Sequence, residues 1–81
     1  RYVTIVGDRV VLAYETGRDR SWFVTAFAIA DGTRAWTVPM PGRLGSLLGS
    51  DDCLVVQAAG ELLVLDPATG ATRARAGTHQ E

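Results

Sequence analysis

The sequence predicts an all-β protein made of two successive four-stranded antiparallel units, and three observations carry that prediction. Apolar residues fall in short runs rich in Val, Leu, Ile and aromatic side chains, without helical spacing. The runs are bounded by Gly and Asp in turn-forming combinations. The second half of the chain also repeats the first.

Taken in order, strands are expected over residues 2–6, 9–15, 22–29, 33–38, 44–49, 53–59, 61–66 and 71–76. Gly7-Asp8 joins the first pair, with Gly7 able to supply the positive φ that a two-residue hairpin requires. Between Glu15 and Trp22 the chain turns polar, with Gly17, Arg18, Asp19, Arg20 and Ser21, which reads as a longer loop. Asp31-Gly32 is the strongest hairpin signal in the chain. Pro39-Met40-Pro41 reads as an extended linker, because Pro fixes φ and biases its predecessor towards extended backbone. Ser50-Asp51-Asp52 and Asp66-Pro67-Ala68-Thr69-Gly70 close the later hairpins, with Asp accepting backbone N–H bonds and Pro presetting φ.

The repeat has two offsets. Gly7 to Ala13 aligns with Asp51 to Gln57, 44 positions on, and Ala26 to Gly32 aligns with Val64 to Gly70, 38 positions on. The six-residue difference falls in the polar loop before Trp22. The units therefore divide as residues 1–43 and 44–81, each close to the length of one β-propeller blade. Val10-Val11-Leu12 and Leu62-Leu63-Val64-Leu65 are consecutive apolar residues, so each sheet is apolar on both faces and needs a layer against each. Radial stacking of blades supplies both layers. Two blades alone share one interface and leave two faces bare, so the expected architecture is a partial propeller or a fragment of a larger one. The expected partners are remaining blades, self-association or protein partners.

Ala26-Phe27-Ala28-Ile29-Ala30-Asp31-Gly32-Thr33-Arg34-Ala35-Trp36 resembles the repeat of the pyrroloquinoline-quinone-like (quinoprotein-type) β-propellers, and so does Gly60-Glu61-Leu62-Leu63-Val64-Leu65-Asp66-Pro67-Ala68-Thr69-Gly70. That repeat runs Gly, a polar residue, an apolar strand, Ala-Leu-Asp, a turn ending Thr-Gly, and Trp four residues later. The resemblance implies that Trp36, four residues after Gly32, docks between neighbouring blades. The second unit departs from the pattern with Ala74 in the Trp position, and the first with Ala28 where Asp66 stands in the second. The resemblance implies export to the cell envelope or beyond the cell, in bacteria. It says almost nothing about activity, because the repeat serves enzymes, scaffolds and sensors alike.

The chemistry in the sequence is sparse. Composition is ordinary for a folded protein, with 47% hydrophobic and 21% charged residues and a net charge of −1. The arginines are scattered, and only Arg73 and Arg75 share a strand face, which reads as a solvated surface and not a nucleic-acid track. No apolar run approaches the ~20 residues of a membrane-spanning helix. Cys53 is the one cysteine, so no internal disulfide forms, and its place in Cys-Leu-Val-Val predicts a buried, inert thiol. Quinone enzymes of the resembling family use a catalytic Asp, a calcium ion and commonly adjacent cysteines, and no such set stands here. Asp51-Asp52 reads as a turn in preference to a Ca²⁺ site, which wants about 6–8 oxygens.

His79 lies in a polar tail without partners at ligand spacing. Ser21, Ser46 and Ser50 lack a Gly-x-Ser-x-Gly elbow. Residues 42–49 contain Gly but lack the Lys-Ser/Thr of a phosphate loop. Trp22 is expected to cover the blade edge and Phe23 to enter the core. No catalytic, cofactor or metal residue is assigned. The expected role is a non-catalytic propeller segment serving structure, protein interaction or sensing. The alternative is a fragment of a quinone-dependent dehydrogenase whose active site lies outside these residues.

Overall fold

A computed structural model describes residues 2–17, 20–50 and 52–77. Within them the chain forms eight strands: β1 Tyr2–Val6, β2 Arg9–Glu15, β3 Trp22–Ala28, β4 Arg34–Pro39, β5 Leu44–Gly49, β6 Leu54–Ala58, β7 Glu61–Leu65 and β8 Thr72–Gly77. They make two four-stranded antiparallel sheets, ordered β1-β2-β3-β4 and β5-β6-β7-β8. Each expected strand is present, with ends displaced by one residue at most.

The hairpins form where the local chemistry permits the required φ. Val6 pairs with Arg9 across Gly7-Asp8, with Gly7 at φ 58°. Ala58 pairs with Glu61 across Ala59-Gly60, and both turn residues have positive φ, 52° and 76°, the pattern of a type I′ turn. Asp31-Gly32 belongs to a wider turn, closed by Ala28 N–H to the Thr33 carbonyl (2.8 Å) and Gly32 N–H to the Ala28 carbonyl (2.8 Å).

The two sheets repeat one another at the level of individual hydrogen bonds. Asp66 N–H donates to the Ala71 carbonyl (2.8 Å) and Gly70 N–H to the Asp66 carbonyl (2.7 Å). These are the same two bonds 38 positions on, with Gly32 (φ 74°) and Gly70 (φ 81°) in the same left-handed conformation. A register shift interrupts β3–β4 between Ala26 and Phe27, and an equivalent one interrupts β7–β8 between Val64 and Leu65. Even a local failure is compensated. Ile29 N–H donates to the Asp8 carbonyl (2.9 Å). The equivalent residue, Pro67, has no N–H, and the matching Asp52 carbonyl is taken by the Arg73 guanidinium (2.8 Å).

One cluster forms the core between the sheets. Sheet one contributes Val6, Val11, Ala13, Val24, Ala26 and Trp36, and sheet two Leu44, Leu47, Leu54, Val56, Ala58, Leu63 and Leu65. The register places each set on one face of its sheet: Val11 opposes Ala26, Ala13 opposes Val24, Leu54 opposes Leu65 and Val56 opposes Leu63. The first strands approach most closely. A Cβ on Gly49 would stand 2.3 Å from Val6 Cγ2 and 3.0 Å from the Ile5 carbonyl, so only glycine lets β5 lie that near β1.

Candidate functional site

The residues left outside the core include apolar side chains on the outer face of each sheet. Because strand side chains alternate, the face of sheet one opposite Val11 and Val24 carries Val3, Ile5, Val10, Leu12, Tyr14, Phe23 and Phe27. Val3 and Ile5 are each 61% exposed, while Tyr14 and Phe23 stack at 5.9 Å. The polar atoms on this face are matched locally: buried Thr25 shares a hydrogen bond with the Thr37 hydroxyl (3.1 Å) and donates to Tyr14 OH (3.5 Å). The outer face of sheet two carries Leu48, Val55, Leu62, Val64, Ala74 and Ala76, with Ser46 and Gln57. Leu48 is 65% exposed.

The two outer faces are not alike, and the repeat says how they differ. Val11, Ala13, Val24 and Ala26, buried in sheet one, correspond to Val55, Gln57, Leu62 and Val64 on the outer side of sheet two. Conversely, the outward-facing, half-buried Val10, Leu12 and Phe27 correspond to buried Leu54, Val56 and Leu65. The sheets therefore stack front to back, and the shared interface is heterologous.

Trp36 fastens that interface. Its side chain is 9% exposed, and its ring lies over Gly70, where a Cβ would stand 2.7 Å from Cε3 and 2.8 Å from Cδ2. Its Nε1–H donates to the Pro67 carbonyl (2.8 Å). Strand β4 supplies the ring, and the β7–β8 turn supplies the seat.

A polar cleft of about 660 Å³ opens at the other end of the interface, lined by Tyr2, Glu15, Gly17, Arg20, Trp22, Arg43 and Leu44. Tyr2 OH donates to the Leu44 carbonyl (3.3 Å), and its ring tilts against Trp22 at 6.2 Å. Among the described residues no ion pair joins Glu15 to Arg20 or Arg43. The cleft has charge and an aromatic wall but no nucleophile with an adjacent base.

The residues weighed individually in the sequence are dispersed. Asp51 and His79 lie outside the described residues. Asp52 offers its carbonyl to Arg73. Cys53 is half-buried, not buried, with Sγ 3.2 Å from Ser50 Oγ; it sits in the turn just ahead of β6, short of the strand that would have covered it. Ser46 and Ser50 have no histidine neighbour among the described residues. Arg73 pairs with Asp66 (3.5 Å) and Arg75 with Glu61, so these two arginines are spent on the chain's own acids.

Trp22 and Phe23 exchange their expected places. Trp22 shares the inward parity of Val24 and Ala26 and packs on the core, while Phe23 points outward with Thr25 and Phe27. Among the described residues, no three His, Cys, Asp or Glu side chains gather as metal ligands, and a single cysteine supplies no adjacent pair for a quinone site. The described residues do not fit that cofactor. No protein-family model matches this chain, and no curated protein matches it.

Proposed function

We propose that this chain forms two consecutive blades of a β-propeller and acts as a non-catalytic structural or protein-interaction segment. One observation supports the reading: the inward-facing residues of each sheet are the repeat equivalents of outward-facing residues of the other. An interface that uses the front of one unit and the back of the next is heterologous, and such contacts propagate until they close or are capped. The exposed face of sheet one is then a back awaiting a front, and that of sheet two a front awaiting a back. What the segment binds follows from the same surfaces: further sheets of its own kind cover the apolar faces. Such a blade also suits a sensing domain, since the fold provides a frame and leaves recognition to loops.

Charge placed on one face or the other tests the proposal. Leu12→Lys on the outer face is expected to leave the secondary structure intact and to lower self-association or capture of neighbouring sheets. Val11→Lys, one residue away but facing the core, is expected to unfold the chain, because an unpaired buried charge is strongly destabilising. Equal tolerance of both substitutions would remove the reading. Equal loss of folding would show that Leu12 is a core residue and remove it too.

A further inference from the structure

Arg9 faces the space between the sheets, and one edge of its guanidinium is unmatched. It shares the inward parity of Val11 and Ala13 on β2, and its Nε is buried without a hydrogen-bond partner among the described residues. The acid beside it, Asp8, is 90% exposed and reaches Nη1 at 3.6 Å. That pair leaves the edge formed by Nε and Nη2, the fork that a carboxylate or phosphate meets with two parallel bonds. Acceptors on the facing β7–β8 turn are already engaged. The Pro67 carbonyl takes the Trp36 indole (2.8 Å), while Asp66 Oδ1 takes the Ala68 N–H (2.9 Å) and pairs with Arg73 (3.5 Å). The Asp8 carbonyl takes the Ile29 N–H (2.9 Å). Arg9 lines a recess of about 150 Å³ together with Val6, Asp8, Pro67 and Ala68. A water in the liquid occupies roughly 30 Å³, so the recess is larger than one bridging water fills.

We infer that this recess binds a small oxyanion of the carboxylate or phosphate class, held by the Nε–H and Nη2–H of Arg9. The walls supplied by Val6, Pro67 and Ala68 are apolar, and a charge-assisted hydrogen bond is stronger beside such walls than in open water. The bound anion touches the β1–β2 turn of one sheet and the β7–β8 turn of the other, at the end of the interface where Trp36 docks. Its binding therefore also fastens the two sheets. Asp8 opposes it, because its carboxylate repels an incoming anion and competes for the same guanidinium. That ion pair joins chain neighbours at the surface, and a pair of this kind is weak enough to yield. The site lies between the two sheets and is independent of what covers their outer faces.

The probes are inorganic phosphate and, as the carboxylate arm, acetate, each added to the full chain with chloride holding ionic strength constant. Proton–nitrogen NMR of the arginine Nε–H groups reads the site directly, and Arg34, exposed on β4, is the internal control. The Arg9 signal is expected to shift saturably, with a midpoint at least tenfold below that of Arg34. Asp8→Asn removes the competing acid and is expected to lower the midpoint about threefold further. Arg9→Lys keeps the charge and loses the fork. It is expected to abolish the rise in urea midpoint that the anion gives the unaltered chain, with far-UV circular dichroism as the fold control. Saturation by either anion supports the inference and identifies the class of ligand. An Arg9 signal that merely tracks Arg34 overturns it, marking a recess that holds water only. An equal rise in urea midpoint for a folded Arg9→Lys also overturns it, marking diffuse screening. Neither result touches the stacked-blade reading, which Leu12→Lys tests separately.

Discussion

Removing the indole of Trp36 is the substitution whose consequence the structure fixes best. The side chain is nine-tenths buried, and a buried Trp removes roughly 150–250 Å² from water. At about 25 cal/mol per Å² that amounts to roughly 4–6 kcal/mol as an upper bound. The hydrogen bond to the Pro67 carbonyl adds about 1 kcal/mol. Incomplete collapse of the site and the compactness of the unfolded chain bring the expected loss for Trp36→Ala to about 3–5 kcal/mol. Trp36→Phe keeps a six-membered ring but loses the donor and part of the buried ring volume, so about 2–3 kcal/mol is expected.

The partner side of the contact makes the test sharper. Gly70→Ala places a Cβ 2.7 Å from the ring at φ 81°, combining overpacking with backbone strain for a loss of about 2–4 kcal/mol. In the Trp36→Ala background the collision disappears and only the backbone strain remains, so the double substitution is less than additive by about 1 kcal/mol or more. Urea denaturation followed by circular dichroism, repeated across a tenfold concentration range to separate association from intrinsic stability, reads all four species. A loss below about 1 kcal/mol for Trp36→Ala, or strict additivity with Gly70→Ala, would refute the docking of this ring as the fastening between sheets.

Other outcomes follow from particular contacts. Gly49→Ala forces a methyl against Val6 and the Ile5 carbonyl and is expected to lose about 1–3 kcal/mol in the same denaturation assay. Ala59 holds φ 52° at the first position of the β6–β7 turn, so Ala59→Asn is expected to raise stability by roughly 0.5–1 kcal/mol, seen as a higher urea midpoint at unchanged slope. The Asp31 carboxylate accepts the Thr33 backbone N–H (3.1 Å) and hydroxyl (2.8 Å), and these bonds, the backbone one foremost, hold its pKa below the ordinary 3.8. Its contribution is therefore present above that ordinary value and is lost as pH falls through the lower folded one. A carboxyl-carbon NMR titration should show Asp31 protonating below the ordinary aspartate value, and Asp31→Asn should flatten that part of the acid profile.

Much of this fold is legible in the sequence because its turns carry their own chemistry. Gly7-Asp8, Asp31-Gly32 and Asp66 to Gly70 mark the hairpins, and the repeat offsets align residues that prove equivalent down to the register shifts at Ala26/Phe27 and Val64/Leu65. Ala59-Gly60 is harder to see. Alanine is an unfavourable residue at positive φ, so the sequence Ala58-Ala59-Gly60 reads as a strand running into a single glycine, whereas two residues form the turn.

The exchange of Trp22 and Phe23 has a more general cause. Parity decides which side chains face inward only when one face is polar. In β3 one face bears Trp22, Val24 and Ala26, the other Phe23, Thr25 and Phe27. Both are apolar, and nothing in the strand chooses between them. The choice is made by the facing sheet, whose bulky Leu44, Leu54 and Leu65 leave room for small Ala13 and Ala26 and not for a second layer of phenylalanines. The seat for Trp36 is likewise shared between units far apart in sequence: its ring comes from β4 and its glycine from the β7–β8 turn.

The central claim is that both sheets are apolar front and back, so that two of them together still leave two faces requiring cover. Size-exclusion chromatography with light scattering on the chain, combined with an apolar-surface dye, measures this directly. Concentration-dependent association with dye bound to the accessible faces is the predicted result. A dye-silent 8.6 kDa monomer that unfolds in one cooperative step at every concentration would contradict it.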